Sequence, residues 1–226
     1  MAAFVAAPIG IRSTVVLTSR RDGDCHPDVV SSDRLHGLLS GCWTMLTEDH
    51  GTTTRRVDRP GEHDGAAGDA LFTAVPNSVL GVWVGDCAPV ALIGDSHVAI
   101  AHAGWRGVRD GILESVLAGF RSVGDRPRSA IIGPHIQRCC NEFGRDDLST
   151  MVAKFGPVAS STDTCDRPSL DLGSVIRSEL QRADVDRVVT VDVCTRCRND
   201  FYFSHRAGDP ERQVMAIRID AEGSLR

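Results

Sequence analysis

VLGVWVGDCAPVALIGDSHVAIAHAGWRG, from Val79 to Gly107, is the stretch whose reading decides the fold. It holds three short apolar runs, Val79–Val84, Val90–Ile93 and His97–Ala101. Each is bounded by Gly, Asp or Pro, as buried strands often are. Asp86, Asp95 and His97 interrupt the region, so it cannot supply the roughly 20 continuous apolar residues of a membrane span. Beyond it the period changes. From Trp105 to Phe120, Val108, Ile112, Val116 and Phe120 recur every fourth residue with Leu113 and Leu117 beside them, which predicts one amphipathic helix.

Working outward, Ile11–Thr18 and Cys42–Leu46 read as strands, and Ser31 or Ser32 as the cap of a short helix running to Leu39. His50-Gly51 falls at a turn. Asp58–Gly68, with Pro60 and three glycines, reads as an exposed loop. Ala130–Ile132 is a strand, Asp171 caps a helix to about Leu180, and Val188–Val193 and Val214–Ile219 are closing strands. Strands and helices mix without a β-α-β-α rhythm. The expectation is α+β: a layered α/β sandwich with mixed β-sheets, in one domain over residues 1–226.

The bulk numbers narrow the function classes. Of 226 residues, 42% are hydrophobic and 24% charged, the composition of an ordinary globular chain. A net charge of −5 argues against a broad basic face and hence against nucleic acid. Met1–Ile11 is apolar but lacks a basic start and is short for a signal peptide. A cytoplasmic protein, not bound to membrane, is expected, as a monomer or homodimer. Eight cysteines in such a chain read as reduced thiols or metal ligands.

Three metal-capable residues fall at strand ends. His50 precedes Gly51, Cys87 follows the run Val79–Val84, and His102 follows His97–Ala101. Loops at strand ends are where a rigid sheet presents reactive groups. Two imidazoles and one thiolate suit zinc and leave a fourth position open, where the pKa of a bound water falls toward 7. Against this stands the ordinary reading: a lone buried Cys is a small apolar residue and a lone His a hydrogen-bonded one. In Gly104-Trp105-Arg106-Gly107 the glycines allow close backbone approach and Arg106 can grip phosphate. The bland alternative is a glycine-rich turn with Trp105 in the core. Cys194-Thr195-Arg196-Cys197 is a single Cys-x-x-Cys with no second copy to complete a four-cysteine ribbon. With the adjacent Cys139-Cys140, it is expected to be structural or incidental. Phe201, Tyr202 and Phe203 read as core, with Ser204 or Arg206 facing a pocket.

Five segments together resemble one family. Gly85-Asp86-Cys87-Ala88-Pro89-Val90 resembles its ADCxPV, and Ala101-His102-Ala103-Gly104-Trp105-Arg106-Gly107 matches its AHAGWRG. Gly133-Pro134-His135-Ile136 with Cys139-Cys140-Asn141-Glu142 resembles GPxIxxCCYE. Cys194-Thr195 through Phe203-Ser204-His205-Arg206 resembles CTxCxxxxFFSYR, and Asp49-His50-Gly51 resembles QVHG. The chain is thus similar, from about Ile11 to Ile219, to the YfiH family, also called the multicopper polyphenol oxidase or laccase-domain family and related to the purine nucleoside enzyme FAMIN. The resemblance implies zinc on His50, Cys87 and His102. It implies phosphorolysis of adenosine, inosine, guanosine and methylthioadenosine, with adenosine deamination, and a layered fold shared with bacterial Cys-His toxins. Editing of peptidoglycan precursors is another role it implies. The chain departs from the pattern at the family's FTTRxGG, where Leu17-Thr18-Ser19-Arg20-Arg21-Asp22-Gly23 keeps an Arg. It lacks the SLNL segment, and it has Glu48-Asp49 before the His, Asn141 for Tyr and His205 for the Tyr of SYR.

The leading expectation is a zinc-dependent purine nucleoside phosphorylase acting on a small nucleoside and phosphate. Asp86, Cys87 and Arg106 are its catalytic candidates, and Arg20, Gly104, Arg106, Ser204 and Arg206 contact substrate. The alternatives are a metal-free hydrolase or amidase with Cys87 as nucleophile and His102 as base, and a zinc-stabilised binding protein. Copper oxidation of phenols ranks below these, because eight histidines include no His-x-His pair.

Overall fold

The structure, a computed structural model, describes residues 3–6 (backbone only) and 10–220. Of Met1–Ile11, the segment weighed above as a leader, residues 1–2 and 7–9 lie outside the described residues. Thirteen strands and five helices are described: β1 (Ala3–Ala6), β2 (Ser13–Leu17), α1 (Ser32–Leu38), β3 (Cys42–Met45), β4 (Thr54–Val57), β5 (Ala70–Thr73), β6 (Ser78–Val84), β7 (Ala88–Ile93), β8 (Val98–Ala103), α2 (Trp105–Asp110), α3 (Ile112–Ser122), β9 (Ser129–Ile132), α4 (Arg145–Phe155), β10 (Ser160–Thr162), β11 (Pro168–Leu170), α5 (Leu172–Arg182), β12 (Arg187–Thr190) and β13 (Gln213–Ile219).

The strands form two large mixed sheets and one small hairpin. One sheet runs β1-β2-β13-β6-β3, the other β12-β9-β7-β8-β5-β4, and β10 pairs with β11. Pairs β3/β6, β4/β5 and β9/β12 are parallel; the rest are antiparallel. Period-2 alternation separates two cores. Val98 and Ile100 of β8 and Ala91 and Ile93 of β7 meet Leu80, Val82, Met215 and Ile217 in the gap between the sheets. Ala99 and Ala101, with Val90 and Leu92, face the other way and pack under α3, α4 and α5 through Ile112, Val116, Met151 and Ile176. α1 covers the outer face of the first sheet with Leu35 against Met45 and Val214. The chain is therefore a layered α+β sandwich, and β7 and β8, apolar on both faces, are its centre.

Two elements differ from expectation. The single helix over Trp105–Phe120 is broken at Gly111, which takes φ 112°. That left-handed geometry closes α2 with a Gly111 N–H to Gly107 carbonyl bond and starts α3 in a new direction. The last predicted inner strand is shorter, β12 ending at Thr190 rather than Val193. Sequence reading also missed β4, β5 and α4, whose runs are short or interrupted by charge. The Ser31 cap is as expected, its hydroxyl accepting from the Arg34 amide, and so is Asp171, whose carboxylate accepts from the Ser174 amide at 2.9 Å. No helix among the described residues is long and apolar enough to cross a membrane.

Candidate metal centre

β6 belongs to one sheet and β7 to the other, so Gly85-Asp86-Cys87 is the turn that crosses between layers. Asp86 makes that turn at φ 107°. It delivers Cys87 to the head of β7, directly beside the tail of β8. There His102 has the parity of Val98 and Ile100 and so points into the gap between sheets. His50 reaches the same place from the turn after β3, at φ 61°. The ligand atoms of His50, Cys87 and His102 all lie within 4.8 Å of one another, with Cys87 Sγ 3.8 Å from His50 Nε2.

Asp69, which sequence reading passed over, holds this corner together. It precedes β5, whose Ala70 pairs with Ala101 of β8, so register sets it beside His102. His102 Nδ1–H donates to Asp69 Oδ1 at 2.8 Å, while the Asp69 carboxylate accepts from the His50 amide at 3.0 Å and the Gly51 amide at 2.7 Å. One buried carboxylate thus orients one ring and shapes the turn carrying the other. It also fixes the ring with Nδ1 engaged, so that Nε2 is the nitrogen left for a metal. The only advance signal was Gly68-Asp69 heading the short apolar run Ala70–Thr73.

The charges are set by burial and by each other. Burial opposes the Asp69 charge, but hydrogen bonds from His102 and the Gly51 amide hold its carboxyl well below the usual range. Burial also opposes the Cys87 thiolate, yet His102 and His50 bring it down to about 6. Burial pushes Glu48 up to about 8 against the pull of His102, whose Nδ1 lies 3.4 Å from its Oε2. The donor set therefore fits a metal: a thiol easily ionised, an imidazole with its outer nitrogen engaged, and a second imidazole on the exposed side. Gly104 completes the cradle. A Cβ there would lie 2.9 Å from His50 Cδ2 and 3.1 Å from Cys87 Sγ, so the α2 backbone can close over the triad only without a side chain.

A cavity of about 460 Å³ opens onto the triad. Its wall includes Glu48, Trp83, Asp86, Ile136, Asn141 and Arg206. Arg106 also lines it, with its guanidinium over the Trp105 ring at 4.7 Å and no hydrogen-bond partner among the described residues. A larger hollow of about 660 Å³ between α1 and β3 carries no comparable set of groups.

The remaining expected site residues divide. Asp86 lines the cavity, but both its oxygens are occupied, by Thr195 Oγ1 at 2.6 Å and the Arg206 amide at 2.7 Å. Arg20 and Ser204 are not in the cavity wall. Arg20 braces the 199–209 loop from behind, donating to the Asn199 and Tyr202 carbonyls and to Asp209. Ser204 is fully buried and caps the turn His205–Ala207. Trp83, Ile136 and Asn141 line the cavity without having been singled out as site residues, because their loops meet only in three dimensions. The cysteine motifs also meet: Cys139, Cys140, Cys194 and Cys197 form a second cluster with sulfurs within 4.8 Å of one another.

Comparison with known proteins gives the family and the fold. The profile of the family described as multi-copper polyphenol oxidoreductase laccase matches residues 24–220. A purine nucleoside phosphorylase of Clostridium acetobutylicum is 31% identical over 145 residues, 62% of this chain and 61% of that protein. The Escherichia coli purine nucleoside phosphorylase YfiH is 29% identical over 191 residues, 80% of this chain and 76% of that one. Among solved structures, a Neisseria meningitidis protein superposes with a TM-score of 0.83 at 23% identity, covering 97% of this chain and 99% of that chain. YlmD of Geobacillus stearothermophilus gives 0.80 at 21%, covering 98% and 100%. With its distinctive segments gathered at one corner of that fold, the chain belongs to the YfiH family, the multi-copper polyphenol oxidoreductase laccase family.

Proposed function

We propose that the chain is a purine nucleoside phosphorylase that holds one zinc ion on His50, Cys87 and His102 and also deaminates adenosine. The observation that carries the reading is the Asp69-oriented triad at the floor of a cavity large enough for a nucleoside. The names of the relatives support the substrate class. Zinc, when bound there, supplies a Lewis acid and activates water. Arg106, its guanidinium without a hydrogen-bond partner among the described residues and held over Trp105, binds phosphate; the walls of Trp83, Ile136 and Leu172 exclude water around the base. Asp86, engaged at both oxygens, acts as a positioning residue: it fixes the Thr195 hydroxyl and the backbone of Arg206, and so the second cationic side of the cavity. Copper chemistry of the multi-copper kind fits poorly. Among the described residues the other metal-capable cluster holds only cysteines, with no histidine-rich second site.

A second reading has one observation in its favour. The Cys87 thiol, brought down to about 6 and 3.8 Å from His50 Nε2, has the form of a hydrolase nucleophile. Metal analysis separates the two, because zinc bound through Cys87 removes the free thiolate. In the assay, purified protein releases hypoxanthine from inosine only when phosphate is present. His102→Ala abolishes release, and Arg106→Ala raises the KM for phosphate roughly tenfold to a hundredfold. Release that ignores phosphate, or none at all from zinc-loaded protein, sinks the proposal.

A further inference from the structure

β9 and β12 are parallel neighbours, so the segments that leave their C-terminal ends emerge side by side. The segment after β9 carries Cys139-Cys140; the segment after β12 carries Cys194 and Cys197. An isolated parallel bridge between His135 and Cys194 aligns them, with the Thr195 amide donating to the His135 carbonyl at 3.1 Å. The four sulfurs converge from this register. Cys197 Sγ lies 3.6 Å from Cys139 Sγ and 3.4 Å from Cys140 Sγ, and all four fall within 4.8 Å of one another. All four are free thiols, and Cys194 is buried while the others are progressively more open. Sulfurs at about 2.3 Å from a tetrahedral zinc stand roughly 3.8 Å apart along each edge. The observed spacing brackets that value.

We infer that Cys139, Cys140, Cys194 and Cys197 form a second metal site, a closed tetrathiolate that binds structural zinc. Four protein ligands fill the tetrahedron and leave no position for substrate, so the site is separate in kind from the open His50–Cys87–His102 corner. Binding releases the thiol protons to solvent and leaves a zinc centre of net negative charge. The Gln137 amide points at Cys194 Sγ at 3.5 Å, so a backbone donor lies where that anion forms. The cluster has a structural task. The first segment supplies Ile136 and Asn141 to the cavity wall, and the second supplies His205 and Arg206. Apart from the short 3-10 turn His205–Ala207, neither segment has regular strand or helix across these positions. A metal joining them fixes the wall opposite the triad.

The test uses the intact chain, zinc sulfate and an alkylating reagent with peptide mapping. Cys42 and Cys165 are exposed and lie outside the cluster, so they serve as internal controls. In zinc-loaded protein the four thiols react about tenfold or more slowly than Cys42 and Cys165, and a chelator abolishes the difference for Cys139, Cys140 and Cys197, the three that are not buried. Zinc content is two per chain in the wild type and one in His102→Ala. With cobalt in place of zinc, His102→Ala keeps the intense sulfur-to-metal absorption of a tetrathiolate, and Cys194→Ser loses it. Four thiols as reactive as Cys42 in loaded protein overturn the proposal. So does a single zinc that vanishes in His102→Ala, or a disulfide among the four in freshly purified, reductant-treated chain. Iron retained by the four thiols in zinc-replete preparations overturns the assignment to zinc. Because alkylation is read on the wild type, a Cys194→Ser chain that fails to fold does not blunt the test. Failure of the triad reading leaves the cobalt signature of this cluster untouched.

Discussion

At the scale of single residues, Asp69 does the most with the fewest atoms. Its carboxylate is fully buried, yet it stays charged because His102 and three backbone amides, of Asp49, His50 and Gly51, donate to it. Asp69→Asn keeps the size and removes the charge that selects the His102 tautomer. Metal affinity at the triad should fall about ten- to a hundredfold, measured by competition with a chromogenic chelator. If affinity is unchanged, His102 Nε2 does not need that orientation and the argument for the corner weakens.

At the scale of elements, the break between α2 and α3 rests on Gly111. A Cβ there meets nothing within 4 Å, so the cost of Gly111→Ala is purely that of an L residue at φ 112°. A loss of about 1 kcal/mol or more is expected, seen as a lower denaturant midpoint with triad zinc retained. The β7–β8 hairpin depends on a different device. Asp125, just past α3, accepts from the Asp95, Ser96 and His97 amides at 3.0 Å each and from the Ser96 hydroxyl. Burial works against its charge, but these donors bring its carboxyl down to about 2 from 3.8. The folded pKa is depressed, so the stabilisation is fully present above pH 3.8 and is lost as pH falls through about 2. Asp125→Asn should therefore cost about 1–2 kcal/mol at neutral pH and progressively less as pH drops below about 4. Urea titrations of both chains across that range check it. A difference that does not shrink in acid would mean that the Asp125 charge contributes nothing.

At the scale of the whole molecule, stability resides in the apolar cores on both faces of β7 and β8, while the metal corner occupies only the rim of the gap between the sheets. Ile100 is fully buried there, two residues before His102 on the same face of β8. Ile100→Ala should cost about 2–5 kcal/mol and lower the melting temperature by roughly 2–4 °C for each kcal/mol, by calorimetry of metal-loaded protein. Zinc content should hold until the fold itself fails. Loss of zinc at full stability would show instead that the core and the corner are one unit.

Much of this was legible before any coordinates. β7, β8 and the Asp171-capped α5 declare themselves through period and capping, since both are local properties of neighbouring residues. Cys87 and His102 could be nominated because the glycines and prolines around them mark strand ends. Their meeting with His50, the part played by Asp69 and the convergence of four cysteines were decided by sheet register and by a turn that crosses between layers. Arg20 and Ser204 show the same limit from the other side: both sit in segments that resemble the family's motifs, yet the fold uses them behind the cavity wall. Local chain statistics carry the period of an element and its ends. Which distant side chains share a corner depends on how strands pair across scores of residues, and that pairing is set by the packing of the whole core.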